Sequence, residues 1–206
     1  RVGGGQEYFD GGDGKDYISY YDSSGGVTVN LATNAISGSW AVNDTISGFE
    51  CFSGSKFGGD HVTGTSGSNT IKTYGGNDKV YAGKGADRVE LGDGNDYVRV
   101  GGGQEYFDGG SGTDYISYYD SSGGIRIDLE KDQVSGSWAV NDAIKNFESA
   151  SGSGTGSDIM LGTADANILK GFGGDDKLYG RSGNDRLFGG NGQDRFDGGA
   201  GMDYLY

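Results

Sequence analysis

The chain is short of the residues that most catalytic and metal-thiolate sites are built from. Of 206 residues one is cysteine, one is histidine and none is proline, so nothing marks a proline-rich linker. A lone Cys51 excludes an internal disulfide, and a buried structural thiol is its expected role. His61 lies ten residues from it with no H-E-x-x-H, so neither a zinc centre nor a nucleophile with its base can be assembled from them. No G-x-x-x-x-G-K-[ST], G-x-G-x-x-G or G-x-S-x-G occurs, which removes a phosphate cradle and a nucleophile elbow. No signal-peptide pattern and no apolar run long enough to span a bilayer is visible. Basic residues are also few, 16 against 30 acidic ones, and the resulting charge of −14 argues against nucleic acid as a partner.

What the chain has instead is glycine, 45 residues of it. With a mean hydropathy of −0.56, that composition alone would suggest disorder. The order of the residues argues otherwise. Gly180 to Tyr206 reads GRSGNDRLF, GGNGQDRFD, GGAGMDYLY, three nonapeptides of the form G-G-x-G-x-D-x-U-x with U bulky and apolar. Stepping back by nine from Leu205 meets Phe196, Leu187, Leu178, Leu169 and Met160. A second run, Ser55 to Ser117, sets Val62, Ile71, Val80, Val89, Val98, Phe107 and Ile116 in the same place. Two more nonapeptides, Val2 to Asp10 and Gly11 to Ser19, open the chain, so that fifteen of them cover 135 residues.

Nine residues are too few to hold a core, so pairs of nonapeptides must wind into 18-residue coils that stack. The end of each nonapeptide forms a short strand that turns position eight inward, while glycines at positions one, two and four let the chain reverse and point carbonyls into the loop. Position six then stacks on position six of the next coil, about 4.8 Å away. The rows are Asp60, Asp78, Asp96, Asp114 beside Asn69, Asp87, Glu105, and Asp158, Asp176, Asp194 beside Asn167, Asp185, Asp203; Glu7 and Asp16 hold the position at the start. Carboxylates so spaced repel unless a cation lies between them. A cage of carboxylate and carbonyl oxygens, free of imidazole and thiolate, suits a hard ion that takes six to eight oxygens, which is calcium and not zinc. Consecutive members of the rows frame nine such sites. Without the ion, the net negative charge opposes compaction, and the chain is expected to be largely unfolded.

These motifs resemble the RTX, or haemolysin-type calcium-binding, nonapeptide repeats of secreted bacterial proteins. The resemblance implies an all-β fold, a right-handed parallel β-roll, with calcium held between successive same-side turns by two aspartates and main-chain carbonyls. It also implies type I export and folding outside the cell. The departures are Glu7 and Glu105, with longer arms, and Asn69 and Asn167, without charge; weakened sites are expected there.

A period of 98 residues overlies the short one: RVGGGQEYFDGG begins at Arg1 and again at Arg99, and SGSWAVND at Ser37 and Ser135. Two tandem units are expected, 1–98 and 99–206, each with a 35-residue insert, 20–54 and 118–152, that abandons the nonapeptide. Val27, Val29, Leu31 and Ile125, Ile127, Leu129 alternate as a half-buried strand does. Each insert reads as two further coils with one longer loop, around Ala32 to Asp44 and Glu130 to Asp142. Asp44, Glu50, Asp142 and Glu148 are either further oxygen ligands or loop caps. Arg1 begins inside the pattern and Tyr206 ends a nonapeptide, as in a part of a longer chain.

Two functions fit. One is a calcium-loaded structural roll, with any catalysis elsewhere in the parent protein. The other is a polysaccharide-binding accessory module of a secreted carbohydrate-active enzyme or adhesin, in which Tyr20, Tyr21, Trp40, Tyr118, Tyr119 and Trp138 stack on sugar rings; the same aromatics could instead cover the insert loops and sheet faces.

Overall fold

The computed structural model describes residues 5–206; residues 1–4, where the opening nonapeptide begins, lie outside it. Regular structure is β almost throughout, with one 3-10 turn, Leu129–Lys131, among the described residues. One face of the molecule carries a two-stranded sheet, Tyr8–Asp10 with Thr45–Ser47, and next to it a ten-stranded one. The other carries a six-stranded sheet followed by a five-stranded one, and successive strands of the nonapeptide runs alternate between the faces. Strand Arg88–Gly94 shows the rule: it pairs in parallel with Thr70–Gly75 and with Tyr106–Gly112, setting Val89 between Ile71 and Phe107, one coil away on either side. The stacked coils are those that the spacing predicts, and their parallel pairing is that of the β-roll that the resemblance implies.

The position-eight residues from Val62 to Ile116 and from Met160 to Leu187 are completely buried. The core is wider than one residue per strand, because the alternation runs on for one more step and buries Thr73, Ala82, Leu91 and Val100 as well. Close stacking of coils is set by glycine where backbone meets backbone. A Cβ on Gly94, whose φ is +148°, would stand 1.7 Å from the carbonyl oxygen of Gly76 in the coil before.

The inserts differ from the long loop expected. Val27–Asn30 and Ala35–Gly38 form an antiparallel hairpin, and so do Ile125–Asp128 and Gln133–Gly136. Asn34 and Asp132, at φ 57° and 53°, allow the reversals, and alternation persists in the returning strand, where Ile36 and Val134 pack on the core. The chain then rejoins the roll: Thr45–Ser47 lies on Tyr8–Asp10 and Cys51–Ser53 on Tyr17–Ser19, with Ala143–Lys145 and Ser149–Ser151 doing the same on Tyr106–Asp108 and Tyr115–Ser117. Each insert is thus one coil plus a hairpin. Cys51 is a buried free thiol, as expected.

Tyr17–Ser19 lies in the six-stranded sheet, but its repeat equivalent Tyr115–Ser117 lies in the ten-stranded one. The two units are half a coil out of phase. Their hairpins accordingly join opposite faces, the first the ten-stranded sheet and the second the five-stranded one. Among the described residues no helix is long and apolar enough to cross a membrane.

Candidate metal sites

Each loop delivers its sixth residue to the edge of the roll, where a ladder of side chains follows the stack. One carboxylate oxygen accepts the backbone N–H of the position-six residue one coil earlier: Asp78 from Asp60 at 2.6 Å, Asp96 from Asp78 at 2.7 Å, Asp114 from Asp96 at 2.8 Å. The same bond joins Asp87 to Asn69, Asp176 to Asp158, Asp194 to Asp176, Asp185 to Asn167 and Asp203 to Asp185.

The second oxygen is left without a donor. Oδ2 of Asp16, Asp78, Asp87, Asp96, Asp114, Asp176 and Asp185 is buried and makes no hydrogen bond. Removing a carboxylate from water without full compensation disfavours its charged form. Burial therefore pushes Asp87 and Asp96 up to about 7 and Asp114 to about 6, and raises Asp78, Asp176 and Asp185 as well.

The glycines at position one show where these oxygens converge. A Cβ on Gly171 would stand 2.0 Å from Oδ2 of Asp176 and 2.8 Å from the carbonyl oxygen of Gly189 in the next coil; on Gly180 it would be 2.1 Å from Asp185 Oδ2 and 2.5 Å from Gly198 O. Carboxylate and carbonyl oxygens of neighbouring coils meet in the space that the absent side chain leaves. Among the described residues no three His, Cys, Asp or Glu side chains gather at one point, so main-chain oxygens must complete any cage. Such a donor set fits calcium.

Asp60 and Asp158, at the head of each run, have both oxygens engaged. Oδ1 takes the N–H of Val27 or Ile125 at 2.7 Å, and Oδ2 takes that of Ser55 at 2.8 Å or Ser153 at 2.9 Å. They pin the hairpins to the roll, and burial still holds both near 7.

Asn69 and Asn167 close their loops with an amide. The side-chain oxygen accepts from the N–H of Thr65 or Thr163, and Nδ2 donates to the carbonyl of Glu50 at 3.1 Å or Glu148 at 2.6 Å. A neutral donor thus satisfies oxygens that elsewhere await a cation. At the second of these steps a fixed charge is added: the Arg181 guanidinium meets the Gly162 carbonyl and pairs with Asp128 at 2.8 Å and Glu130 at 3.0 Å. Glu105 departs in the other direction. Both its carboxylate oxygens are buried and unpartnered, and burial, with Asp142 and Asp87 nearby, pushes it up to about 8.

Asp44, Glu50, Asp142 and Glu148 take the position-six place in the insert coils. Asp44 and Asp142 accept the N–H of Glu7 and Glu105, and Glu50 and Glu148 accept those of Asp16 and Asp114. The row ending at Asp114 therefore runs on through Glu148 to Asn167, Asp185 and Asp203, and Asp16 is joined through Glu50 to Asn69 and Asp87. A trace of this is present in the sequence: Asp44 before Ile46, Glu50 before Phe52 and Asp142 before Ile144 keep the D/E-x-U half of the nonapeptide without its glycines.

Of the aromatics near the inserts, Tyr20 and Tyr118 belong to the core, donating their hydroxyls to Asp44 at 2.8 Å and Asp142 at 3.1 Å. Trp138 covers Gly102, and Trp40 packs against the core.

The description RTX calcium-binding nonapeptide repeat matches the chain in four copies, at residues 57–89, 81–116, 153–187 and 171–205, together more than half of its length. No curated protein matches the chain. Repeats of this kind bind multiple calcium ions, the cation that the oxygen-only cages suit. By its stacked parallel coils, its ladders of buried carboxylates and this match, the chain belongs to the RTX calcium-binding nonapeptide-repeat family.

Proposed function

We propose that the chain is a calcium-dependent structural roll of a secreted bacterial protein, open inside the cell and folded where it meets the extracellular ion. Its two units are residues 1–98 and 99–206. Calcium is held between coils by the second oxygens of Asp16, Asp78, Asp87, Asp96, Asp114, Asp176, Asp185, Asp194 and Asp203, with Asp60 and Asp158 at the head of each run. Sites using Asn69 or Asn167 are weak or vacant, whereas Glu105 keeps both carboxylate oxygens free to meet an ion. The observation that carries this reading is the row of buried carboxylate oxygens without donors, directed at glycine-lined gaps between coils.

At millimolar calcium, each site of the affinity common in extracellular modules adds on the order of 0.5–1.5 kcal/mol by linkage. Several together decide whether the roll folds. No activity is proposed for the carboxylates, whose first oxygens are committed to the ladder.

Calorimetric titration with calcium, followed in parallel by far-UV circular dichroism, tests the reading. Heat and β signal should rise together, and magnesium, which demands a smaller octahedral shell, should produce neither. Magnesium acting equally well, or full β content in a chelator at pH 8, would refute it.

A further inference from the structure

A groove recurs at equivalent places in the two units. In the first it is lined by Tyr17, Ser19, Tyr21, Ser53 and Tyr74, and in the second by Tyr115, Ser117, Tyr119, Ser151 and Phe172, each residue 98 further along the chain. Half a coil of phase puts the floor strands of the two grooves on opposite faces of the roll.

One wall of each groove is held under strain. Tyr74 and Phe172 sit at φ 71° and 75°, the place that Gly92, Gly110 and Gly190 occupy in other coils. Left-handed backbone costs a bulky residue about 1–2 kcal/mol, which glycine would avoid. The strained ring stands edge-on to the tyrosine opposite, Tyr74 at 4.7 Å from Tyr21 and Phe172 at 4.8 Å from Tyr119. Packing of the core gains nothing from it, since Phe172 remains 37% exposed. Strain retained at an exposed aromatic is a mark of a site.

The two grooves differ in charge. In the first unit Lys72 is paired with Glu90 at 2.6 Å. In the second, Phe188 stands where Glu90 was, and Lys170 lies over the rings of Tyr115 and Phe188 at 5.7 and 5.9 Å, with no carboxylate in ion-pair reach among the described residues. Arg99 also borders this groove, but Asp120 holds it. An unmatched ammonium, on a chain of charge −14, therefore looks into a cleft of 480 Å³ with aromatic walls and the hydroxyls of Ser117 and Ser151 at its floor, 2.8 Å apart. That volume lies within the range of ligand sites, about 300–1,000 Å³.

We propose that the groove of the second unit binds an acidic glycan, a chain of pyranose rings bearing carboxylates. The floor strand Tyr115–Ser117 is already paired on both sides, with Tyr97–Arg99 and Ser149–Ser151, so a ligand cannot add as a strand and must be read by side chains. Ser117 and Ser151 are buried and bonded to each other beneath the cleft, so the C–H faces of a sugar would meet the rings of Tyr119 and Phe172 above them. Lys170 supplies the partner for the carboxylate, a charge-assisted bond. The first groove offers rings and hydroxyls with its lysine neutralised, and serves as an internal reference.

The test is titration of the calcium-loaded protein, at fixed calcium activity, with tetragalacturonate, its methyl ester and tetraglutamate, read by NMR shifts of groove residues. The uronate should bind, the ester at least about tenfold more weakly, and tetraglutamate not measurably. Lys170→Gln should weaken the uronate about tenfold. Phe172→Gly should weaken it similarly while leaving the calcium midpoint of folding unchanged or improved, because glycine suits that backbone; Tyr74→Gly should leave uronate affinity alone. Circular dichroism of each variant at the same calcium level separates loss of the site from loss of the fold. Equal affinity for uronate and ester, equal affinity for tetraglutamate, full binding by Phe172→Gly, or no binding of the uronate would overturn the proposal.

Discussion

Stripped of calcium, the roll should fold better at pH 5 than at pH 8. Asp60, Asp87, Asp96 and Asp158 are each pushed up to about 7 in the folded chain, against about 3.9 in an unfolded one. A carboxyl whose folded pKa is raised favours folding while it is protonated; that contribution is complete below about pH 4 and is lost as pH rises through about 7. A difference of that size corresponds to about 4 kcal/mol per group, more than half of it already recovered at pH 5. Over the four groups the recovery is on the order of 10 kcal/mol, comparable with the entire stability of a domain, about 5–15 kcal/mol. In saturating calcium the dependence reverses, because protons then compete with the ion for the same oxygens. The assay is far-UV circular dichroism of the dialysed, calcium-free chain at both pH values, repeated at pH 8 with about 0.5 M sodium chloride to screen exposed charge but not buried charge. Equal β content at pH 5 and pH 8 would refute the reasoning. So would rescue by salt as complete as rescue by acid, which would assign the effect to net charge instead of the buried row.

Gly94→Ala drives a Cβ into the backbone of the neighbouring coil and should destabilise the loaded roll by about 3 kcal/mol or more in urea melts, whereas Gly67→Ala, at the same motif position with nothing nearer than 3.8 Å, should stay within about 0.5 kcal/mol. Equal effects would show that coil spacing is not set there. Arg181→Gly leaves the buried Asp128 without its main partner and should cost about 2–4 kcal/mol net of relieved backbone strain, seen as a lower melting temperature. Combined with Asn167→Asp, the same change replaces an amide and a guanidinium by a carboxylate, and calorimetry should count one more calcium ion than in the parent chain; an unchanged count would show that the step cannot take the ion.

The roll was readable because its register is stated again and again: a one-residue slip would send Val89 or Leu178 to solvent, and no slip occurs across either run. The carboxylate rows followed from the same arithmetic. The hairpins were not readable, because the residues that reverse them, Asn34 and Asp132, are single left-handed positions in stretches that lack a glycine-rich turn. Glu50 and Glu148 were legible as candidate ligands or caps but not as rungs of the ladder: only half of the motif survives there, and their partners lie 34 residues away instead of 18. Arg181 was silent in the sequence, since its role depends on Asp128 and Glu130, which the second hairpin brings to it.

The phase difference between the units has a consequence for any longer array of them. From Tyr17–Ser19 four strand steps lead to Tyr106–Gly112, and the next half turn reaches Tyr115–Ser117, so one unit advances four and a half turns. Successive hairpins would alternate to left and right like leaves along a stem, and those on the same side would recur after nine turns plus the two strands of one hairpin, eleven strand spacings or about 53 Å. A partner gripping two of them at once would have to match that interval, which makes the interval a ruler written into the chain.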